Sequence, residues 1–155
     1  MSDGYPLHVF RFLVEFVENP LDGGGGGPLP LCDGAFAECT GLEATMEPKV
    51  IREGGRNYGA AQRSGPVSFA TIVLRRGMTR AQDLYGWFEL VTSGATYAHR
   101  LNAYVTLFDT AGEIVLRWKL ERALPIKFKA ADLNARASEV GIEELHLAHE
   151  GLHLA

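Results

Sequence analysis

The chain has 155 residues, 46% of them hydrophobic, 22% charged and 10% aromatic, which fits one folded domain with a sizeable core and excludes a chain disordered throughout. Its formal charge of -4 and pI near 5.7 exclude the net basic face of a nucleic-acid binder. Cys32 and Cys39 are too few for a disulfide framework or a cysteine-built metal site, and read as reduced thiols of a protein made in the cytoplasm.

The opening residues Met1 to Pro6 lack a basic segment followed by an apolar run, so no secretory leader is expected. No stretch approaches the roughly 20 apolar residues of a membrane span, and no membrane anchor is expected. His8 to Val17 alternates as a strand, with Phe10, Phe12, Val14 and Phe16 on one face and Arg11 and Glu15 on the other. Asn19-Pro20 ends it. Residues 21–31 then hold five consecutive glycines, Gly23 to Gly27, followed by Pro28-Leu29-Pro30-Leu31. Ordering so many glycines costs much backbone entropy, so this segment reads as a flexible loop.

Ala35 to Glu38 reads as a second short strand closed by a turn at Gly41, and Pro48 to Arg52 as renewed extended structure. Gly54-Gly55 opens an arm running through Tyr58, Gly59 and Gln62 to Gly65-Pro66. Val67 to Arg75 is rich in β-formers and predicts one strand stopped by Gly77. Thr79 then suits the N-cap of a helix over 80–93, in which Leu84, Trp87, Phe88 and Val91 form an apolar stripe ending before Gly94. Leu101 to Phe108 and Ile114 to Leu120 flank a glycine-containing turn and predict a hairpin. Ala123 to Phe128, carrying Pro125, predicts an edge or bent strand. A polar segment over 129–137 reads as a helical turn, and Glu139 to His149 as the last strand, with a tail over 150–155. About six to eight strands and one helix make a mainly β fold, a β-barrel or sandwich with a flanking α-helix.

Candidate chemistry is sparse. Gly23 to Gly27 lacks the lysine and the following helix of a phosphate-binding loop. His146, His149 and His153 lie near Glu143, Glu144 and Glu150, but on a strand His146 and His149 point to opposite faces, so no metal site is expected and partly exposed strand-edge histidines are. Ser64, Ser68, Ser93 and Ser138 have no nucleophile elbow, and neither cysteine has an activating context. No enzyme and no cofactor is expected. The arm differs in kind: Arg52, Glu53, Arg56, Asn57, Gln62 and Arg63 alternate with glycines and Tyr58. Most such loops are merely surface, yet both charge signs, arginine and tyrosine suit a self-complementary subunit contact.

A series of motifs runs through the chain in order. It contains Phe36-x-Glu38-Cys39-Thr40-Gly41-Leu42-Glu43, Arg52-Glu53-Gly54-Gly55-x-Asn57 and Val73-Leu74-Arg75-Arg76-Gly77-Met78-Thr79. Leu84-Tyr85-x-Trp87 and Trp118-x-Leu120-x-x-Ala123-x-Pro125 follow, then Ser138-Glu139-Val140-x-Ile142-Glu143-Glu144-Leu145 leading to His149-Glu150-Gly151-Leu152. Together they resemble the phage T4-like tail-tube family, which includes inner-tube proteins of extracellular contractile injection systems. The resemblance implies a fold akin to the type VI secretion ring protein. It also implies a structural role in hexameric rings stacked into a hollow tube within a sheath, on a baseplate and spike, with protein cargo possible in the lumen. The segment between Lys49 and Arg63, including Arg52, Glu53, Arg56, Asn57, Tyr58 and Gln62, matches the family arm that reaches a neighbouring subunit or ring. The loop at 21–31 is longer than expected of a repeating subunit and suits a specialised first ring on the baseplate. Rival expectations are an effector-binding adaptor ring and a small-ligand-binding β-barrel.

Overall fold

Alternating burial organises the first strand, β1 (Arg11–Glu18), where Val14 and Phe16 are buried, Phe12 packs beside them, and Arg11 and Leu13 are exposed. The computed structural model describes residues 11–18, 36–52, 54–55, 58–77, 83–92, 101–136 and 140–155. His8 to Phe10, the glycine-rich loop at 21–31 and Thr79 as an N-cap lie outside them.

The elements that follow are β2 (Glu38–Thr40), β3 (Ala44–Met46), β4 (Lys49–Ile51), β5 (Ala61–Arg63), β6 (Val67–Phe69), β7 (Ile72–Gly77), α1 (Asp83–Thr92), β8 (Leu101–Phe108), β9 (Ile114–Lys129), β10 (Ile142–Ala148) and β11 (Gly151–Leu154). The main sheet runs β1-β8-β9-β10-β7-β2, with β11 also on β9. Its pairs are all antiparallel. β10 and β11 line β9 one after the other, from Glu144 opposite Lys129 to Leu154 opposite Trp118.

β9 serves both halves of this sheet. Between the rungs Leu101–Ala123 and Ala103–Leu120 it carries one more residue than β8, which makes a bulge. Arg122 sits there with φ of 50°, its N–H donating to Asn102 Oδ1 at 3.1 Å and its Nε to Glu150 Oε2 at 3.0 Å. The two parts predicted as separate strands, 114–120 and 123–128, are therefore one bent strand. Pro125 falls in the second part, where β10 supplies the one partner among the described residues, so its missing N–H costs no ladder bond on the other side.

The mainly β fold with one helix is as expected from the sequence. Closure is not. β1 and β2 end the path and do not pair with each other among the described residues, so the sheet is bent rather than a closed barrel. The core lies between its halves, joining Val14, Phe16 and Val105 to Ile72, Leu74 and Leu145. α1 supplies Leu84 and Trp87 to that core, Trp87 meeting the Phe16 ring edge-on at 5.2 Å, as the helical stripe predicts.

Other expectations are corrected. The strand expected at Ala35 to Glu38 begins at Glu38 instead. Val67 to Arg75 breaks at Ala70–Thr71. The tail is a strand, β11, and the segment over 130–136 is an open stretch ending in a turn in which Asn134 Oδ1 accepts the Arg136 N–H at 3.0 Å. β10 is interior, so His146 is not at a sheet edge.

Two details pin β7 in place. Arg76 and Glu143 face each other across the β7–β10 ladder, both buried, with Nε 2.6 Å from Oε1 and the guanidinium 5.7 Å from the Phe36 ring centre. Gly41, at φ of 98°, lies so close to the chain that a Cβ there would sit 2.0 Å from the Thr71 carbonyl oxygen. Gly41→Ala adds a left-handed-region cost to a backbone clash, so we expect a loss of about 2 kcal/mol or more in urea unfolding. An unfolding midpoint equal to wild type would refute this.

Candidate assembly interface

From Glu38 to Arg75 the chain runs out and back as one antiparallel ribbon. Its rungs run from Glu38–Arg75 through Ala44–Phe69 and Met46–Val67 to Lys49–Arg63 and Ile51–Ala61. Two interruptions divide it. At the first, the Ala70 N–H donates to the Glu43 carbonyl at 3.3 Å. At the second, the Glu47 N–H donates to the Pro66 carbonyl at 3.0 Å, and the returning strand carries one extra residue. Gly65 is required there because a Cβ would lie 1.9 Å from the Glu47 carbonyl oxygen.

Past β2 and β7 the ribbon has two strands only, since β3 with β6 and β4 with β5 pair with nothing further among the described residues. Both faces and both edges of such an arm meet solvent, and an isolated two-stranded ribbon is marginal by itself. It nevertheless exposes large apolar side chains: Met46 is 44% exposed, Val67 54%, Val50 60% and Tyr58 93%. Exposed apolar side chains on a protruding ribbon suit a contact surface.

The sequence-predicted contact residues fall as follows. Lys49 and Arg63 are exposed and directly opposite, Gln62 is exposed opposite Val50, and Arg52 and Tyr58 are exposed toward the tip. Glu53, Arg56 and Asn57 lie outside the described residues. Like charges on one rung repel, so the Lys49–Arg63 pair works against the ribbon unless an anionic group answers it. Glu43 and Glu47, nearer the body, are exposed as well, which gives the arm a basic outer and an acidic inner part.

Sequence reasoning missed the inner half of the arm. Met46 and Val67 share a face there, and the available signal was the Ala44-Thr45-Met46 alternation ahead of Pro48. It also missed a charge ladder on the body. Arg75 bonds Glu38 and Glu144, the latter through Nε at 2.6 Å, and Lys129 lies 4.0 Å from Glu144 and 3.9 Å from Asp132. Hydrogen bonding to Arg75, against a smaller opposing effect of burial, holds the Glu144 carboxyl below its usual range. The outer edges of β1 and β2 are unpaired among the described residues, and open edges of this kind invite strand addition.

Burial pushes the Cys39 thiol up to about 11, which keeps it protonated and unreactive. Among the described residues no three His, Cys, Asp or Glu side chains converge as a metal site would need, and no helix is long and apolar enough to cross a membrane.

Comparison with known proteins places this architecture. Solved structures align with nearly all of the chain, among them the following three. One comes from the anti-feeding prophage baseplate, with 26% identity, a TM-score of 0.74 and coverage of 100% of this chain and 97% of that one. A chain of the PVC extracellular contractile injection system sheath-tube complex gives 20% identity, a TM-score of 0.76 and coverage of 97% and 92%. Hcp1 from Flavobacterium johnsoniae shares the fold more distantly, with 11% identity, a TM-score of 0.52 and coverage of 94% and 95%. No curated protein matches the chain. The family model described as T4-like virus tail tube protein gp19 matches residues 8–153. Spanning almost the whole chain, that match makes this protein a member of the T4-like tail tube family, a family of structural tube proteins rather than enzymes.

Proposed function

We propose that this chain closes into homo-hexameric rings that stack as the inner tube of a contractile phage-tail-like particle, with the arm as the contact to a neighbouring copy. The observation that carries this reading is the two-stranded arm, which holds Met46, Val50, Tyr58 and Val67 in solvent. Buried against another subunit, those side chains would leave water, and the Lys49–Arg63 rung would gain an anionic partner. The open edges of β1 and β2 suit continuation of the sheet between subunits. The sixfold symmetry of the related anti-feeding prophage baseplate structure supports a ring of six. Sheath and baseplate or spike proteins would be the outer partners, and the lumen could hold protein cargo.

A second, finer reading is the tube-initiating ring on the baseplate. Its support is the 26% identity to a chain of a baseplate structure, against 20% to a chain of a sheath-tube complex, together with the five-glycine insertion within 21–31. Electron microscopy of the purified protein tests both. Single rings that do not elongate favour the initiating ring, whereas long tubes favour the repeating subunit. A particle that stays monomeric at high concentration sinks the tube reading.

A further inference from the structure

The joint between arm and body contains a histidine that the tube reading does not use. Phe69 ends β6 opposite Ala44, on the innermost rung of the free ribbon. Its ring lies 5.1 Å from that of His149, tilted by 42°. His149 belongs to the body, in the two-residue link between β10 and β11. Its Nδ1 is 3.0 Å from the Gly151 carbonyl oxygen, which can only accept, so the Nδ1 carries the proton. Nε2 is then a bare acceptor, and it is buried with no hydrogen-bond partner among the described residues.

We propose that His149 is a pH-sensitive latch that clamps the arm root through Phe69 while neutral and releases it when protonated. The chemistry follows from the two nitrogens. Protonation leaves the bond to Gly151 intact but places an N–H and a positive charge at Nε2, where no acceptor lies among the described residues. The ring must turn outward to reach water, and Phe69 loses its neighbour.

Two of the charged groups nearby have side-chain partners of their own. Glu150 pairs with Arg122 at 3.0 Å, Glu121 faces His153 at 3.5 Å, and Glu43 on the arm meets the joint through its backbone carbonyl. Burial depresses the His149 pKa, and the Gly151 carbonyl opposes this more weakly. A base depressed in the folded state stabilises it above the free value of about 6.5 and loses that contribution as the pH falls. His146, three residues earlier, is also depressed, first by burial and then by Lys127 and Arg75, against Glu144. It stands on the body between Val73 and Lys127 and serves as the internal control.

The latch concerns the arm within one subunit, so it stands whether or not the arm is the ring contact. Its test is hydrogen exchange at the Ala70 and Glu47 amides, which bond across the ribbon. In the wild-type chain their protection factors should drop by about tenfold between about pH 7.5 and about pH 5. His149→Phe keeps a ring against Phe69 but cannot protonate, and should remove that drop. His146→Phe should retain it. A wild type with equal protection at both pH values, a drop that persists in His149→Phe, or one abolished by His146→Phe would overturn the latch. Should His149→Phe not fold, NMR titration of wild-type His149 decides: an apparent pKa at or above about 6.5 overturns the proposal, and one below it supports it.

Discussion

Glu143→Ala should unfold in urea with about 3–5 kcal/mol less stability than wild type, an effect as large as truncating a buried aromatic side chain. The reason is burial without water. Glu143 and Arg76 both lie in the interior, and the short Nε–Oε1 contact couples β7 to β10 in the middle of the sheet. Removing the carboxylate takes the Nε partner from a buried guanidinium that lies 5.7 Å from the Phe36 ring centre. Replacing both partners at once should cost much less than the sum of the single changes, because neither member of the pair is then left facing a missing partner. Glu143→Ala, Arg76→Met and the double variant in one denaturation series read this coupling directly. Additive losses would show that the pair is not an energetic unit.

Tyr58→Ala should leave the melting temperature of the subunit unchanged and weaken assembly by roughly 30- to 1000-fold, the range of about 2–4 kcal/mol that a central interface tyrosine contributes. These two halves of the expectation have different origins. At 93% exposure Tyr58 has almost nothing to lose within its own chain. As the proposed arm contact, it has a whole aromatic face to bury against another copy. Tyr58→Phe separates ring from hydroxyl and should assemble nearly normally if apolar burial dominates. Light scattering against protein concentration, with melting curves on the same samples, measures both. Assembly of Tyr58→Ala at the wild-type concentration would remove the arm tip from the interface.

The sequence was most legible where burial has a simple period. Phe12, Val14 and Phe16 announce β1, Leu101 to Leu107 announce β8, and Leu84 with Trp87 announces the buried side of α1. Each repeats at 2 or 3.6 residues because one side faces the core. The ribbon from Glu38 to Arg75 was harder to see. Its strands are three residues long where they leave the body, and both faces are wet, so alternation carries no inward–outward contrast. Its glycine-bearing interruptions look like turns that end elements, whereas the pairing continues across them, in unchanged register at the first and with one extra residue at the second. β9 was divided for a similar reason, since Pro125 argues for a boundary and the bulge at Arg122 depends on Asn102 in another strand. The basic arm residues were legible as a group. That Lys49 stands opposite Arg63 was not, because register is a tertiary fact.

The bent β9 strand also has a mechanical meaning. Its 16 residues run without a break from the β8 side of the fold to the β10 side, flanked over most of that length by β10 and β11. A push along the strand therefore loads many backbone bonds in shear together, whereas two sheets joined by a loop would yield at the loop. The Arg122 kink turns the line of force without cutting it, and its tether to Asn102 and Glu150 braces the corner. A subunit built this way would carry load along β9 as one piece, with the two-stranded ribbon as its more compliant part.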